Sequence, residues 1–522
     1  MLPADPSDLP LPERLAQLLV VRLGSDIPPV RTADDDAPRV ADLLAACTVG
    51  GLLVFNGRHA TTPHTLASLQ SVSRVPLLVM ADVERGYGQQ LRPWPLLPHA
   101  MAFERLGADA ATAVRTFGEL TARAARRAGV HAINAPVADV HSDPANPIIA
   151  TRAFSQDPVR AGELVAAFIA GCAAGGGLAV AKHFPGHGDT REDSHDALPV
   201  VAASRECLLG RELVPFRAAV AAGVPMVMTA HVRFPALDAK SAPATLSRPI
   251  LDQLLRHDLG FTGAVVSDSL LMAGVRGEAA DEAALCARAL AAGVDLLLDV
   301  ERPAEAVRGL LQAVTDGRLC TRRVDEACSR VLALKRRAFA GDLKPGAPPL
   351  DEPALHEATL RLANRVATAA VQIDDPRGLV PLDPGRSLVA VLVNHYRSHI
   401  DPPESPLATA LRSAVETVDF RELRGDEPES TWRTLTDRCL AAEQVLVAIV
   451  VKPAAWHRFG LPPAAEGWLS DLIGRRPVVV ACLGAPGALD RLPEAAATVT
   501  ALSDVPASQS AVIRAVTIGT RS

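Results

Sequence analysis

The sequence predicts an α/β architecture in which a TIM-like (β/α)8 barrel precedes a smaller αβα sandwich, and three observations carry that expectation. Up to about residue 340, short apolar runs ending in Gly or a polar residue alternate with longer Ala-rich stretches bearing Arg and Glu, the rhythm of strand followed by helix. Eight such runs occur, the number that closes a barrel. A Pro-rich connector, Asp342 to Pro353, then leads into a second alternation of apolar runs and helical patterns. The expected division is a barrel over 1–340, a linker with its connecting helix over 341–372, and an α/β sandwich over 373–522.

In chain order, the barrel strands are expected near Leu18 to Leu23, Gly51 to Phe55, Leu77 to Ala81, Ala132 to Val137, Leu178 to Ala181, Val224 to Thr229, Ala264 to Ser267 and Val294 to Leu298. Several are apolar almost throughout, as strands buried on both faces are. Polar residues gather at their C-terminal ends: Asp82, Asp139, Lys182 with His183, His231 and Asp268. In such a barrel that rim carries the active site. The charge-free stretch Leu164 to Ala181 is long enough to test as a membrane span, but its Ala content and Gly175-Gly176-Gly177 make it helix, turn and buried strand. After the connector, HEATLRLANRVATAA reads as helix, and Leu388 to Val393, Val445 to Val451 and Val478 to Leu483 read as strands of the second sheet.

With 48% hydrophobic and 21% charged residues in a chain of 522, there is ample core to bury, which excludes fibrous and disordered classes. Fifty-three basic against fifty-nine acidic residues supply no positive field for a phosphate backbone, so nucleic acid is not an expected partner. The N-terminal MLPADPSDLPLPERLAQLL has Pro and Asp where a signal peptide needs a basic start and an apolar stretch. The eight cysteines show no C-x-x-C spacing, so reduced thiols in a cytoplasmic, membrane-free protein are expected rather than disulfides or structural zinc. Aromatic residues are only 3% of the chain, which favours a small soluble ligand in a pocket over a long polysaccharide on stacked rings.

The densest polar cluster, Lys182 to His195 (KHFPGHGDTREDSH), follows the fifth strand. Asp193 and His195 flank one serine, close enough for the carboxylate to orient the imidazole and favour its protonated form, which makes a usable proton donor near neutral pH. A solvated loop whose charges only satisfy turns is the alternative, and the rim position weighs against it. Asp268, in GFTGAVVSDSLLM, ends an apolar strand and could attack an anomeric carbon, or cap a helix. Asp82, in LLVMADVERG, could accept bonds from vicinal hydroxyls or pair with Arg85 or Arg92. Arg152 and the Lys182-His183 pair offer donors to the same ring. Together these residues describe a pocket for a polyhydroxylated ligand.

The strings KHFPGHGDTREDSH, INAPVADVHSDPANPIIATRAFSQDP, MTAHVRFPALD, PATLS and GFTGAVVSDSLLM resemble the signature blocks of glycoside hydrolase family 3, in its bacterial β-N-acetylglucosaminidase branch. The resemblance spans the first domain in order and spacing. It implies a TIM-like barrel, retaining hydrolysis of terminal β-linked N-acetylglucosamine from muropeptides or chito-oligosaccharides, and no metal or organic cofactor. It implies Asp268 as nucleophile, His195 as general acid/base, Asp193 as its partner, and Asp82, Arg152, Lys182 and His183 as sugar ligands. The chain departs from the pattern at Arg85, where D-x-E-G-G is usual, and at Gln90, where an arginine is often found. The intact Asp193-Ser194-His195 element implies that proton transfer stays in the barrel, and Trp456-His457-Arg458-Phe459 is expected to pack on the surface.

An imidazole in place of the second carboxylate lowers negative charge at the glycosyl-enzyme, so some phosphorolysis is expected alongside hydrolysis. Pro185, Gly186 and Gly188 suggest that His195 rides on a mobile segment. The strongest rival is a metal-dependent hydrolase on His183, His187, Asp189, Asp193 and His195. A β-glucosidase or N-acetylglucosamine phosphorylase of the same fold, and a sugar-binding protein without activity, are the others. Oligomeric state is left open.

Overall fold

The computed structural model describes residues 2–192, 194, 197–340, 351–398, 401, 403–454 and 457–518. They form two compact units. The first holds the chain up to Pro95, Ala111–Asp143 and Ala153–Thr359; the second holds Leu96–Ala110, Pro144–Arg152 and the chain from Leu360 onward. Most of the expected Pro-rich connector lies outside the described residues.

All eight expected runs in the first unit are strands: β1 (Leu19–Leu23), β2 (Gly51–Val54), β3 (Leu78–Ala81), β4 (Ala132–Ile133), β5 (Leu178–Phe184), β6 (Met226–Thr229), β7 (Ala264–Val266) and β8 (Leu297–Leu298). They pair in chain order, every ladder parallel, and β8 also pairs with β1 through Leu19↔Leu297 and Val20↔Leu298. A parallel bridge between Val266 and Leu296 joins β7 to β8 and completes the circuit. The strands are buried on both faces, which is why their sequences lack alternation. β4 is shorter than its apolar run because Pro136 has no N–H for the ladder, and pairing resumes as a bridge between Val137 and Lys182. β5 is longer, and its register against β6 shifts between Ala181 and Phe184.

The stretch tested as a membrane span is helix, turn and strand. The helix Pro158–Ala174 starts at Asp157, whose carboxylate accepts the Val159 and Arg160 N–H groups, and it ends at Gly175. A Cβ on Gly171 would lie 1.9 Å from the Arg115 carbonyl, so glycine lets this helix close on its neighbour Ala110–Arg127. Phe117 and Phe168 meet edge-to-face across that contact, 5.0 Å between centroids. Phe168 is fully buried, and truncating it to Ala costs about 3–5 kcal/mol. Among the described residues no helix is long and apolar enough to cross a membrane.

Charges at the N-terminal ends of the strands are buried with partners, as a face devoted to stability requires. Asp295, just before β8, takes Arg256 on one oxygen and Arg323 and Arg330 on the other. Lys335, fully buried in the helix Thr321–Phe339, donates to the Gln17 side chain just before β1.

The second unit has six strands, β9 (Gln372–Asp374), β10 (Leu388–Val393), β11 (Val418–Leu423), β12 (Gln444–Val451), β13 (Val479–Gly484) and β14 (Ala497–Thr500), ordered β9-β14-β13-β12-β10-β11. Only β9 runs antiparallel to its neighbour. Side-chain direction alternates along β10. Val389, Val391 and Val393 join a core with Trp432, Trp468 and Leu469, while Leu388, Ala390 and Leu392 join one with Leu407, Leu411 and Val512. Helices therefore cover both faces, giving the expected αβα sandwich. Trp456 lies outside the described residues. Beside it, the Arg458 carbonyl accepts from His395 Nε2 (2.9 Å) and the Tyr396 hydroxyl (3.1 Å), a contact within this unit.

Candidate active site

The parallel barrel brings the C-terminal ends of its strands to one rim, and the polar residues follow them there. Asp82 comes directly after β3, and Lys182 belongs to the shifted part of β5. Such irregularities re-aim side chains beside active sites. Lys182 Nζ lies 3.0 Å from Asp82 Oδ1 and 2.7 Å from Glu84 Oε1. The Lys182 side chain is 4% exposed and that of Asp82 26%, so the ammonium is committed to the cluster while the carboxylate still has a face for a ligand hydroxyl. One cation between two carboxylates fixes both.

His183 Nδ1 stands 2.7 Å from Asp139 Oδ2, and Asp139, fully buried, also accepts the backbone N–H of His183 (3.2 Å) and of His187 (2.7 Å). Burial works to raise the Asp139 carboxyl, but the neighbouring His183 and His187 outweigh it and hold the group below its ordinary value. An ionised Asp139 only accepts, so His183 carries its proton on Nδ1 and its ring orientation is fixed. His187 is spoken for on both sides, with Nδ1 2.8 Å from the Thr190 hydroxyl and Nε2 2.9 Å from that of Ser194. The loop can pass this closely only through Gly188, where a Cβ would lie 1.6 Å from the Val140 carbonyl. Asp193 and His195 lie outside the described residues; Ser194, between them in sequence, is described and buried.

Asp268 follows β7 after the buried Ser267. Its Oδ1 accepts the Ser269 N–H at 2.7 Å. The helix-cap alternative does not apply, since the next helix, Ala273–Arg276, has Met272 at its N-cap. Ser269 is itself held, its hydroxyl 2.7 Å from Asp299 Oδ2 and its carbonyl 3.0 Å from His231 Nε2.

The structure thus brings Asp82 and Lys182 together, pairs His183 with Asp139, and sets Asp268 on the same rim. Arg152 belongs to the stretch grouped with the second unit, where its guanidinium donates to the Ile148 carbonyl at 2.6 Å. Gln90 is buried and its side-chain oxygen accepts the Asn56 N–H (3.3 Å), while Gln89 accepts the Arg85 N–H (2.8 Å). Sequence reasoning missed Glu84 as a partner of Lys182, His187 as an anchor of Ser194, and the pair Arg22 and Asp299. Asp299 had a signal, an acid directly after an apolar strand as at Asp268, and Arg22 is a charge inside the first apolar run. Among the described residues no group of three or more His, Cys, Asp or Glu is placed to hold a metal ion.

Comparison with known proteins adds four findings. The family model described as the glycosyl hydrolase family 3 N-terminal domain matches residues 10–334. The chain is 29% identical over 424 residues to beta-hexosaminidase A of Pseudoalteromonas piscicida, covering 74% of this chain and 68% of that one. It is 36% identical over 296 residues to a beta-hexosaminidase of Methylococcus capsulatus, covering 55% and 87% respectively. Among solved structures, a glycoside hydrolase family 3 beta-N-acetylglucosaminidase from Paenibacillus sp. str. FPU-7 superposes with a TM-score of 0.85 at 29% identity, covering 98% of this chain and 97% of that one.

Proposed function

Because the chain belongs to glycosyl hydrolase family 3, we propose that this glycoside hydrolase is a retaining, exo-acting β-N-acetylglucosaminidase for small soluble substrates such as muropeptides or chito-oligosaccharides. The observation that carries the reading is the rim itself: Asp268 follows β7 on the same face at which Lys182 clamps Asp82 and Asp139 orients His183. The hexosaminidase names of the relatives and of the Paenibacillus structure support the choice of sugar.

In the proposed reaction a carboxylate oxygen of Asp268 attacks the anomeric carbon. The glycosidic C–O bond breaks, its electron pair goes to the departing oxygen, and His195, kept protonated by Asp193, donates the proton. In the second step His195 takes a proton from water, whose oxygen attacks the anomeric carbon and releases Asp268. Asp82 accepts from ring hydroxyls, Lys182 donates to them, and His183, whose Nδ1 proton goes to Asp139, meets the ring with Nε2 as an acceptor. An imidazole in place of an acid/base carboxylate lowers the negative charge that an incoming anion meets, so phosphate can replace water, and mass spectrometry for a sugar 1-phosphate after incubation with phosphate reads that extension.

All eight cysteines are free, which supports a reducing, cytoplasmic setting. The test is turnover of 4-nitrophenyl β-N-acetylglucosaminide by the wild type and the Asp268→Asn and His195→Ala variants. Loss of activity in Asp268→Asn, with a fluorosugar label trapped on Asp268 of the wild type, supports the assignment. Full activity in Asp268→Asn sinks it.

A further inference from the structure

Asp299 follows β8 directly with a left-handed backbone, φ +69°, a region that Asp and Asn tolerate better than other non-glycine residues. The bend is fixed where the barrel closes, because the N–H groups of Asp299 and Val300 both donate to the Val20 carbonyl of β1 (2.9 and 3.0 Å). From this position the carboxylate, 1% exposed, grips Arg22, also on β1. Nε of Arg22 donates to Oδ1 at 2.9 Å and a terminal nitrogen donates to Oδ2, a bidentate pair. The guanidinium is steadied on its other side by the Phe55 ring, 4.6 Å to the centroid.

One guanidinium already balances the charge of one carboxylate, so the bond from the Ser269 hydroxyl to Asp299 (2.7 Å) is not needed for neutrality. Its consequence falls on Ser269. All three polar groups of that residue are engaged: the hydroxyl with Asp299, the carbonyl with His231 Nε2, and the N–H with Asp268 Oδ1. His231 is backed by the Thr245 hydroxyl, 2.7 Å from its Nδ1. Fixing the Ser269 peptide fixes the direction of the N–H that meets Asp268, and hence the plane in which that carboxylate lies.

We infer that Asp299, braced by Arg22, is a positioning residue that acts through the Ser269 hydroxyl to hold the Asp268 carboxylate in its attacking orientation; the inference rests on Asp268 being the nucleophile. No bond forms or breaks at Asp299. A misaligned nucleophile loses rate in the bond-forming step while substrate binding is kept.

The experiment uses the full chain as wild type, Ser269→Ala, Ser269→Thr, Asp299→Asn and Asp268→Asn, with 2,4-dinitrophenyl β-N-acetylglucosaminide in stopped flow. Ser269→Ala is expected to slow formation of the glycosyl-enzyme by about 10-fold, with the substrate Kd read from the concentration dependence of that phase changed by less than about twofold. Ser269→Thr, which restores the hydroxyl, recovers most of the rate, and Asp299→Asn, which suits the left-handed backbone, falls between. The inference is overturned if Ser269→Ala and Asp299→Asn form the intermediate at the wild-type rate, if the loss falls on the substrate Kd of that phase, or if Ser269→Thr is as slow as Ser269→Ala. Full turnover by Asp268→Asn defeats the nucleophile assignment itself. An inert Asp268→Asn beside an unimpaired Ser269→Ala defeats only the positioning role.

Discussion

The Nε2 of His187 stands 2.9 Å from the Ser194 hydroxyl, and both side chains are buried. The bond ties the serine between Asp193 and His195 to a histidine whose backbone N–H is anchored on Asp139. Ser194→Ala leaves a buried ring nitrogen without its partner, at about 1–3 kcal/mol. If that anchor sets proton delivery, turnover falls about 10-fold on alkyl or sugar leaving groups and far less on dinitrophenolate, which departs without a proton. A leaving-group series on wild type and variant checks this. An equal loss across the series means the bond only supports the fold.

Lys182 is the cation between Asp82 and Glu84. Lys182→Ala leaves two neighbouring carboxylates without it, so the expected result is a loss of about 3 kcal/mol in urea unfolding and a KM raised by an order of magnitude or more. Lys182→Arg keeps the charge and recovers stability better than KM, because a planar fork does not replace a compact ammonium. An unchanged KM in Lys182→Ala removes this residue from the sugar site.

Lys335 makes stability depend on pH. Burial pulls its ammonium from 10.5 down to about 7 in the folded protein. Between about 7 and 10.5 the unfolded chain therefore binds a proton that the folded one does not, so this group makes stability rise with pH through that window. Below about 7 both states are charged and the burial cost is fully present. Lys335→Met is expected to gain on the wild type by a few kcal/mol at pH 6, less what the lost bond to Gln17 is worth, and the gain shrinks towards pH 10. Urea unfolding at both pH values measures it; a difference that does not vary with pH refutes it.

Chelation distinguishes the glycosidase from the metal-dependent hydrolase. His187 faces hydroxyls with both ring nitrogens, so one of the rival's ligands is already engaged, while His183 gives only Nδ1 to Asp139. Activity on 4-nitrophenyl β-N-acetylglucosaminide is expected to survive dialysis against EDTA unchanged. A loss that zinc restores favours the rival.

Much of the molecule is legible locally. Apolar runs without alternation betray strands buried on both faces, and acids or bases at or just past their C-terminal ends fall on one rim whatever the loops do, as Asp82, Lys182 and Asp268 show. β4 and β5 depart from their expected lengths because a proline removes a donor from one and a register shift extends the other. The Asp193-Ser194-His195 element was visible as a string, yet the tie from Ser194 to His187 depends on how the loop folds back past Val140.

Strand period, burial and rim position follow from the local order of apolar and polar side chains, so the barrel, the sandwich and the roster of polar residues at the strand ends are legible in that order alone. Which of those residues meet was decided only by the tertiary structure. Lys182 reaches Asp82 across 100 residues and Arg22 reaches Asp299 across 277. The first meeting requires β3 and β5 to stand around one rim, and the second exists only because the last strand returns to pair with the first. Ion pairs of such span depend on barrel closure, which no short stretch of sequence encodes.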